Sequence, residues 1–297
     1  MVEIKRDELM KNRGYGAILL AALRMLGGNL RAVIRHQWAF SLAYSAVTAY
    51  IVINVIHSLR ADVAQFGASW ADLCVMAVLL LATGVAFYGR AAMLIDGQPL
   101  KYNVVRTVKL YVVGLVLCII VYAVVVGVTL LMFRAWDAPS DIEEAQRRET
   151  IYIGVLLLMV VVAALSLLPF IFVAAKYYME PSARLRKIVT SGYQRGARHF
   201  GCIFITWLLV GIVSSVVFFV VSLPMLVLIL ALGMSVGGAL MGDDPGLPGY
   251  FYPMMYAVCT LTCFIVSAIL LYQMFVAYYM YGTIETRTEE RARMAKV

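Results

Sequence analysis

Six stretches of this 297-residue chain, at positions 38–56, 73–89, 110–133, 151–175, 201–232 and 251–281, contain no Asp, Glu, Lys, Arg or His. A helix needs about 20 apolar residues to cross the ~30 Å hydrocarbon core of a bilayer. The pattern predicts an all-α integral membrane protein with six transmembrane helices. Composition supports this: 63% of residues are apolar and 14% are charged, against about 25% charged in a soluble domain. Too few polar side chains exist to cover a water-soluble globule, and a disordered chain would need far less apolar content.

All 25 Lys and Arg residues lie outside the six stretches. Seven precede the first stretch, four lie between the second and third, six between the fourth and fifth, and four after the sixth. Only Arg60, Arg134, Arg147 and Arg148 fall on the opposite side. The positive-inside rule then places both termini in the cytoplasm. A net charge of +8 is also found in nucleic-acid-binding proteins. Here the positive charge follows topology, so nucleic acid is set aside as a partner. The first 37 residues are charged and broken by glycines, and no cleavable signal peptide is expected there.

The even-numbered stretches end alike, in Val85-Ala86-Phe87-Tyr88-Gly89, Val173-Ala174-Ala175-Lys176-Tyr177-Tyr178-Met179 and Val276-Ala277-Tyr278-Tyr279-Met280-Tyr281-Gly282. A basic amphipathic stretch precedes each odd one. The first has Leu19, Leu23, Leu26, Leu30 and Val33 opposite Arg24, Arg31 and Arg35; the others centre on Val104–Lys109 and Arg184–Arg198. We read a short tail (1–13), a membrane domain (14–281) and a second tail (282–297). The membrane domain divides into three repeated units, about 14–90, 91–180 and 181–281. Each is an interfacial amphipathic helix followed by a transmembrane hairpin. An aromatic belt accounts for the tyrosines, but less well for the recurring basic stretch. Asp96-Gly97-Gln98-Pro99 reads as a turn. Gly27-Gly28 and Gly192/Gly196 are expected to break the stretches into short helices. Residues 134–150 read as a short solvated helix begun at Ser140, with Glu143 as its capping partner. The glycine-rich 233–250 reads as a loop.

The run Arg184-Leu185-Arg186-Lys187-Ile188-Val189 through Arg195-Gly196-Ala197-Arg198-His199-Phe200 is a basic helix leading into an apolar span. In this it resembles bacterial six-span inner-membrane proteins related to the membrane domain found with glycerophosphoryl diester phosphodiesterases. The resemblance implies a fold and an envelope location. It implies no reaction, because the phosphodiesterase chemistry of that group sits in a separate soluble domain.

A buried charge within a span is the usual sign of a proton relay or ion path, and the six stretches hold none. Intramembrane catalysis would also lack its acid or histidine. His36, His57 and His199 lie at stretch ends and read as interfacial. The five cysteines form no CxxC, and no phosphate-binding GxxxxGK[ST] occurs. We therefore expect no catalytic residue, no cofactor and no metal site, and a protein that is not an enzyme. Arg31, Arg35, Lys109, Arg186, Lys187 and Arg198 are the candidate contacts to anionic lipid headgroups or a protein partner on the cytoplasmic side. Ser41, Ser45 and Thr48, Gly211 and Ser215, and Cys263 and Ser267 lie at helical spacing. They form either small-residue packing seams, which we favour, or a polar path. The expected role is accessory or structural in the envelope. The alternative is a transporter or permease subunit for a neutral or lipid-like solute.

Overall fold

The computed structural model describes residues 9–58, 70–135, 141–180, 184–242 and 247–295. Helices occupy Tyr15–Gly28 (α1), Leu30–Ser58 (α2), Trp70–Asp96 (α3), Leu100–Ala135 (α4), Ile142–Met179 (α5), Leu185–Arg198 (α6), Phe200–Leu240 (α7) and Phe251–Met294 (α8). No strand occurs among the described residues. All but α1 and α6 are long and apolar enough to cross a membrane, which makes six such helices. The exposed Val112, Leu115, Val116, Ile119, Ile120 and Tyr122 of α4 suit contact with lipid, not water.

Several helices are much longer than a bilayer requires. The 44 residues of α8 reach about 66 Å at ~1.5 Å per residue. A 40° tilt would still leave about 50 Å across a ~30 Å hydrocarbon core. Helix α8 is therefore longer than the hydrocarbon core can take up. The same holds for α5, with 38 residues, and α7, with 41.

Met1–Val104 and Ile205–Val297 together form one compact unit, and Val105–Phe204 forms another. In the first, α2 packs on α3 and α8, and α1 packs on α8. One cluster gathers Val33, Phe87, Ala91, Leu94 and Leu271. There the fully buried Gln37 donates from Nε2 to the Phe87 carbonyl (2.9 Å) and ties α2 to α3. A second cluster gathers Ala49 of α2, Met225 and Leu232 of α7, and Phe251, Met255 and Cys259 of α8. Every residue from Tyr278 to Glu285 is buried, so α8 is covered on all sides along this part of its length.

The segment just before α1 supplies part of that cover. Thr283 Oγ1 donates to the Lys11 carbonyl (3.3 Å), and Arg287 donates to Asn12 Oδ1 (2.8 Å) and to the Arg13 carbonyl (2.9 Å). Asn12 Nδ2 donates to Glu290 Oε2 (3.1 Å), and the Arg13 guanidinium lies 5.0 Å from the centre of the Tyr279 ring. Gly282 is placed against the Leu9 carbonyl with no room for a Cβ between them.

In the second unit α6 folds back along α5. Gly192 abuts Val173 and Gly196 abuts Pro169, while Tyr193 donates to the Ser166 carbonyl (3.1 Å). As α6 advances its contacts move back along α5, so the two helices are antiparallel.

Several sequence expectations need correction. The basic stretch at Val104–Lys109 is not a separate interfacial helix: it is the first part of α4, because no Gly or Pro interrupts 100–113. Gly192 and Gly196 do not break α6. They are buried in close contact with α5, where tertiary packing overrides their poor helix propensity. Residues 142–150 belong to α5, and Asp141, which accepts from the Glu144 N–H (2.7 Å), caps it. Ser140 lies outside the described residues. Residues 233–240 continue α7, and the chain leaves the helix near Gly242 at φ +93°. The region after 281 stays helical to Met294 and is buried through Glu285. The turn before α4 is as expected. Gly97 adopts φ +67°, and Asp96 Oδ1 accepts from the Gln98 N–H (3.0 Å) and from Asn103 Nδ2 (2.8 Å). The break after Gly27-Gly28 is present too, since α1 ends at Gly28 and α2 starts at Leu30.

Candidate functional site

Arg31 and Arg35 lie in the first two turns of α2, Lys109 lies on α4, and Arg186, Lys187 and Arg198 share α6. All six are exposed. Helix α6 shows how such exposure arises. Ile188, Gly192 and Gly196 recur every fourth residue and bury one face, which leaves Arg186, Lys187 and Arg198 on the remainder. These three cations make no hydrogen bond or ion pair among the described residues. The structure therefore brings Arg186, Lys187 and Arg198 together on one fixed helix. Arg31 and Arg35 form a separate pair in the other unit.

Arg106, three residues before Lys109, is a different case and was not singled out from sequence. It is 3% exposed. Its guanidinium donates to the carbonyls of Tyr178 (3.2 Å) and Glu180 (3.4 Å) and lies 4.6 Å from the centre of the Tyr177 ring. A helix ends with four carbonyls that have no intrahelical partner and with partial negative charge, and a cation there answers both. Thr107 and the Tyr178 hydroxyl share a 2.7 Å hydrogen bond, and the buried Lys176 pairs with Glu180 at 3.4 Å. These groups fasten the start of α4 to the end of α5. They are engaged with protein atoms and are not offered to a ligand.

The small polar residues divide by location. Ser45 donates to the Ser41 carbonyl (2.7 Å), Thr48 to Tyr44 (2.8 Å) and Ser267 to Phe264 (2.7 Å). These hydroxyls are satisfied within their own helices. Ser41, Ser45 and Thr48 on α2 and Cys263 and Ser267 on α8 belong to helices that pack together, and the Tyr256 hydroxyl reaches the Ala46 carbonyl (3.2 Å) across them. Gly211 and Ser215 lie elsewhere, in a groove of about 560 Å³ between α7 and α8. Ser215 is exposed and its hydroxyl returns to the Gly211 carbonyl (2.7 Å). The adjacent Ser214 is 9% exposed and accepts from Gln273 Nε2 (3.3 Å). Phe218, Phe219, Val266, Ile269 and Leu270 complete the walls. The sequence carried one signal for this pair: Gln273 is an amide inside an apolar stretch, and such a group seeks a polar partner in lipid.

No cluster of three or more potential metal ligands occurs among the described residues. His36 accepts no new role: its ring nitrogen and backbone carbonyl lie 3.3 and 3.1 Å from the Arg90 guanidinium. His199 forms the junction between α6 and α7. The His57 side chain lies outside the described residues.

The chain matches no family model, no curated protein and no solved structure. The functional reading accordingly rests on the residues and their placement.

Proposed function

We propose that this chain is a non-enzymatic protein of a bacterial cytoplasmic membrane, with both termini in the cytoplasm. Its basic face engages anionic lipid headgroups, in an accessory or structural role in the envelope. In this reading it resembles the six-span inner-membrane proteins named above, and its three units share an ancestral pattern of basic helix plus hairpin. The observation that carries the proposal is α6. Its apolar face is fixed on α5, while Arg186, Lys187 and Arg198 remain exposed and uncompensated. A cation near an anionic leaflet gains about 1 kcal/mol, so three together are worth about 3 kcal/mol, or roughly a hundredfold in binding.

The test is native mass spectrometry of the protein released gently from its own membrane. Retained phosphatidylglycerol or cardiolipin is expected on the wild-type chain and is expected to be lost in Arg186→Gln/Lys187→Gln/Arg198→Gln. Retention unchanged by the triple substitution would overturn the proposal. A stoichiometric protein bound in place of lipid would do the same and would identify a partner.

The groove between α7 and α8 favours a second reading, a transporter or permease subunit for a neutral or lipid-like solute. Proteoliposome flux tests it. A reproducible flux abolished by Ser45→Leu or Ser215→Leu in folded protein would replace the accessory role.

A further inference from the structure

The groove between α7 and α8 has a direction. The two helices place Gly211, Ser214 and Gln273 at one end and Phe218, Phe219 and Val266 at the other. The first end is polar and the second is apolar. Gln273 lies 22 residues beyond the start of α8 at Phe251, which is about 33 Å along the helix at ~1.5 Å per residue. That distance matches the ~30 Å hydrocarbon thickness. With Phe251 set at one boundary of the hydrocarbon, the polar end falls where hydrocarbon gives way to the glycerol region of the lipid, and the apolar end points toward the membrane interior.

We propose that this groove holds one acyl chain of a membrane phospholipid, and that Gln273 and Ser214 meet the ester oxygen at its head. An apolar cavity stays dry, and a groove of about 560 Å³ runs along two helices that are apolar enough to cross a membrane. Its walls are aliphatic and aromatic. A primary amide has two N–H donors and a serine has one O–H. One Gln273 N–H is used on Ser214 Oγ, and the second N–H and the serine proton find no acceptor among the described residues. An ester carbonyl, which only accepts, can take either of these two donors. Nothing lies within 4 Å of where a Gly211 Cβ would stand, so the glycine keeps the polar end open. The inference depends on membrane embedding of α7 and α8 and is independent of the basic face on α6.

Photo-crosslinking separates the two. The full chain is reconstituted in zwitterionic phosphatidylethanolamine and phosphatidylcholine, with a trace of phosphatidylcholine bearing a diazirine midway along one ester-linked chain. After illumination, adducts are mapped by peptide mass spectrometry. Adducts on 211–219 and 266–273 are expected at several times the density found on the exposed 112–122 face of α4. Gly211→Leu is expected to lower groove labelling at least fivefold and leave the α4 adducts unchanged. An ether-linked probe is expected to label the groove more weakly than the ester probe, and Gln273→Leu is expected to abolish that difference. Equal labelling of groove and α4, or undiminished groove labelling in Gly211→Leu, overturns the proposal. A crosslink from the groove to a second copy of the chain overturns it as well. Equal labelling by ester and ether probes in the wild type overturns the ester contact. The zwitterionic membrane keeps every outcome separate from anionic-headgroup binding.

Discussion

Arg106 shows how three residues of sequence separate two fates for the same charge. It and Lys109 lie in one basic stretch, and hydropathy places them at the same depth. A shift of three residues turns the side chain by about 300° around a helix, and burial depends on where α5 stands. That neighbour is invisible to local patterning, so Lys109 was readable as an exposed cation while Arg106 was not readable as a buried fastener. Arg106→Met removes two charge-assisted hydrogen bonds and a ring contact from a buried position. It should lower stability by about 3 kcal/mol, seen as a lower Tm in detergent. Arg106→Lys should recover less than half of this loss. Lysine lacks the planar fork that spans the Tyr178 and Glu180 carbonyls while facing Tyr177. Full rescue by lysine would mean that charge alone holds the joint.

Helix α6 was legible as a basic amphipathic stretch, although its buried face, Ile188 with Gly192 and Gly196, was not. Nor was its partner. Glycine spacing at 192 and 196 has two physical readings, a flexible break or a surface that another helix can approach closely. Only the position of Val173 and Pro169 selects the second. At Gly196 a Cβ would stand 3.1 Å from both the Cβ and the carbonyl oxygen of Pro169. Gly196→Val should therefore lift α6 from α5 and cost about 1–3 kcal/mol. Trypsin should then cut faster after Arg186 and Lys187. Gly192→Ala should have a smaller effect, because its nearest neighbour at 3.3 Å is a Val173 side-chain methyl that can shift. Helix ends were misread for a related reason. Where glycines but no proline follow a span, as at 233–240 and after 281, the helix continues past the apolar stretch.

The six spans of the molecule were legible because lipid imposes a composition that no other environment requires. Much of the packing was not. Apolar contact between helices gains little in hydrocarbon, where the surrounding chains are equally apolar. Burial is rewarded more strongly where water is the alternative. The covered stretch Tyr278–Glu285 and the segment over it belong to the part of α8 beyond a bilayer's thickness, and their pairing joins residues 272 to 278 positions apart. No local pattern encodes such pairs. Gly282 is the tightest point of that contact. Gly282→Ala should displace the segment at 9–13, with faster hydrogen–deuterium exchange there and unchanged protection within the spans. Unchanged exchange at 9–13 would show that the segment is held by its polar contacts alone.

The same pairing sets an order of assembly. Residues 9–13 leave the ribosome long before Thr283, Arg287 and Glu290 exist. While the intervening helices enter the bilayer one after another, this early segment has no surface to rest on. Its closure over α8 is a late, long-range step, with the slow kinetics expected of distant contacts. Until then the tyrosine-rich stretch and its cover are both open to chaperones and proteases. An intact clasp thus reports that every preceding span has been synthesised.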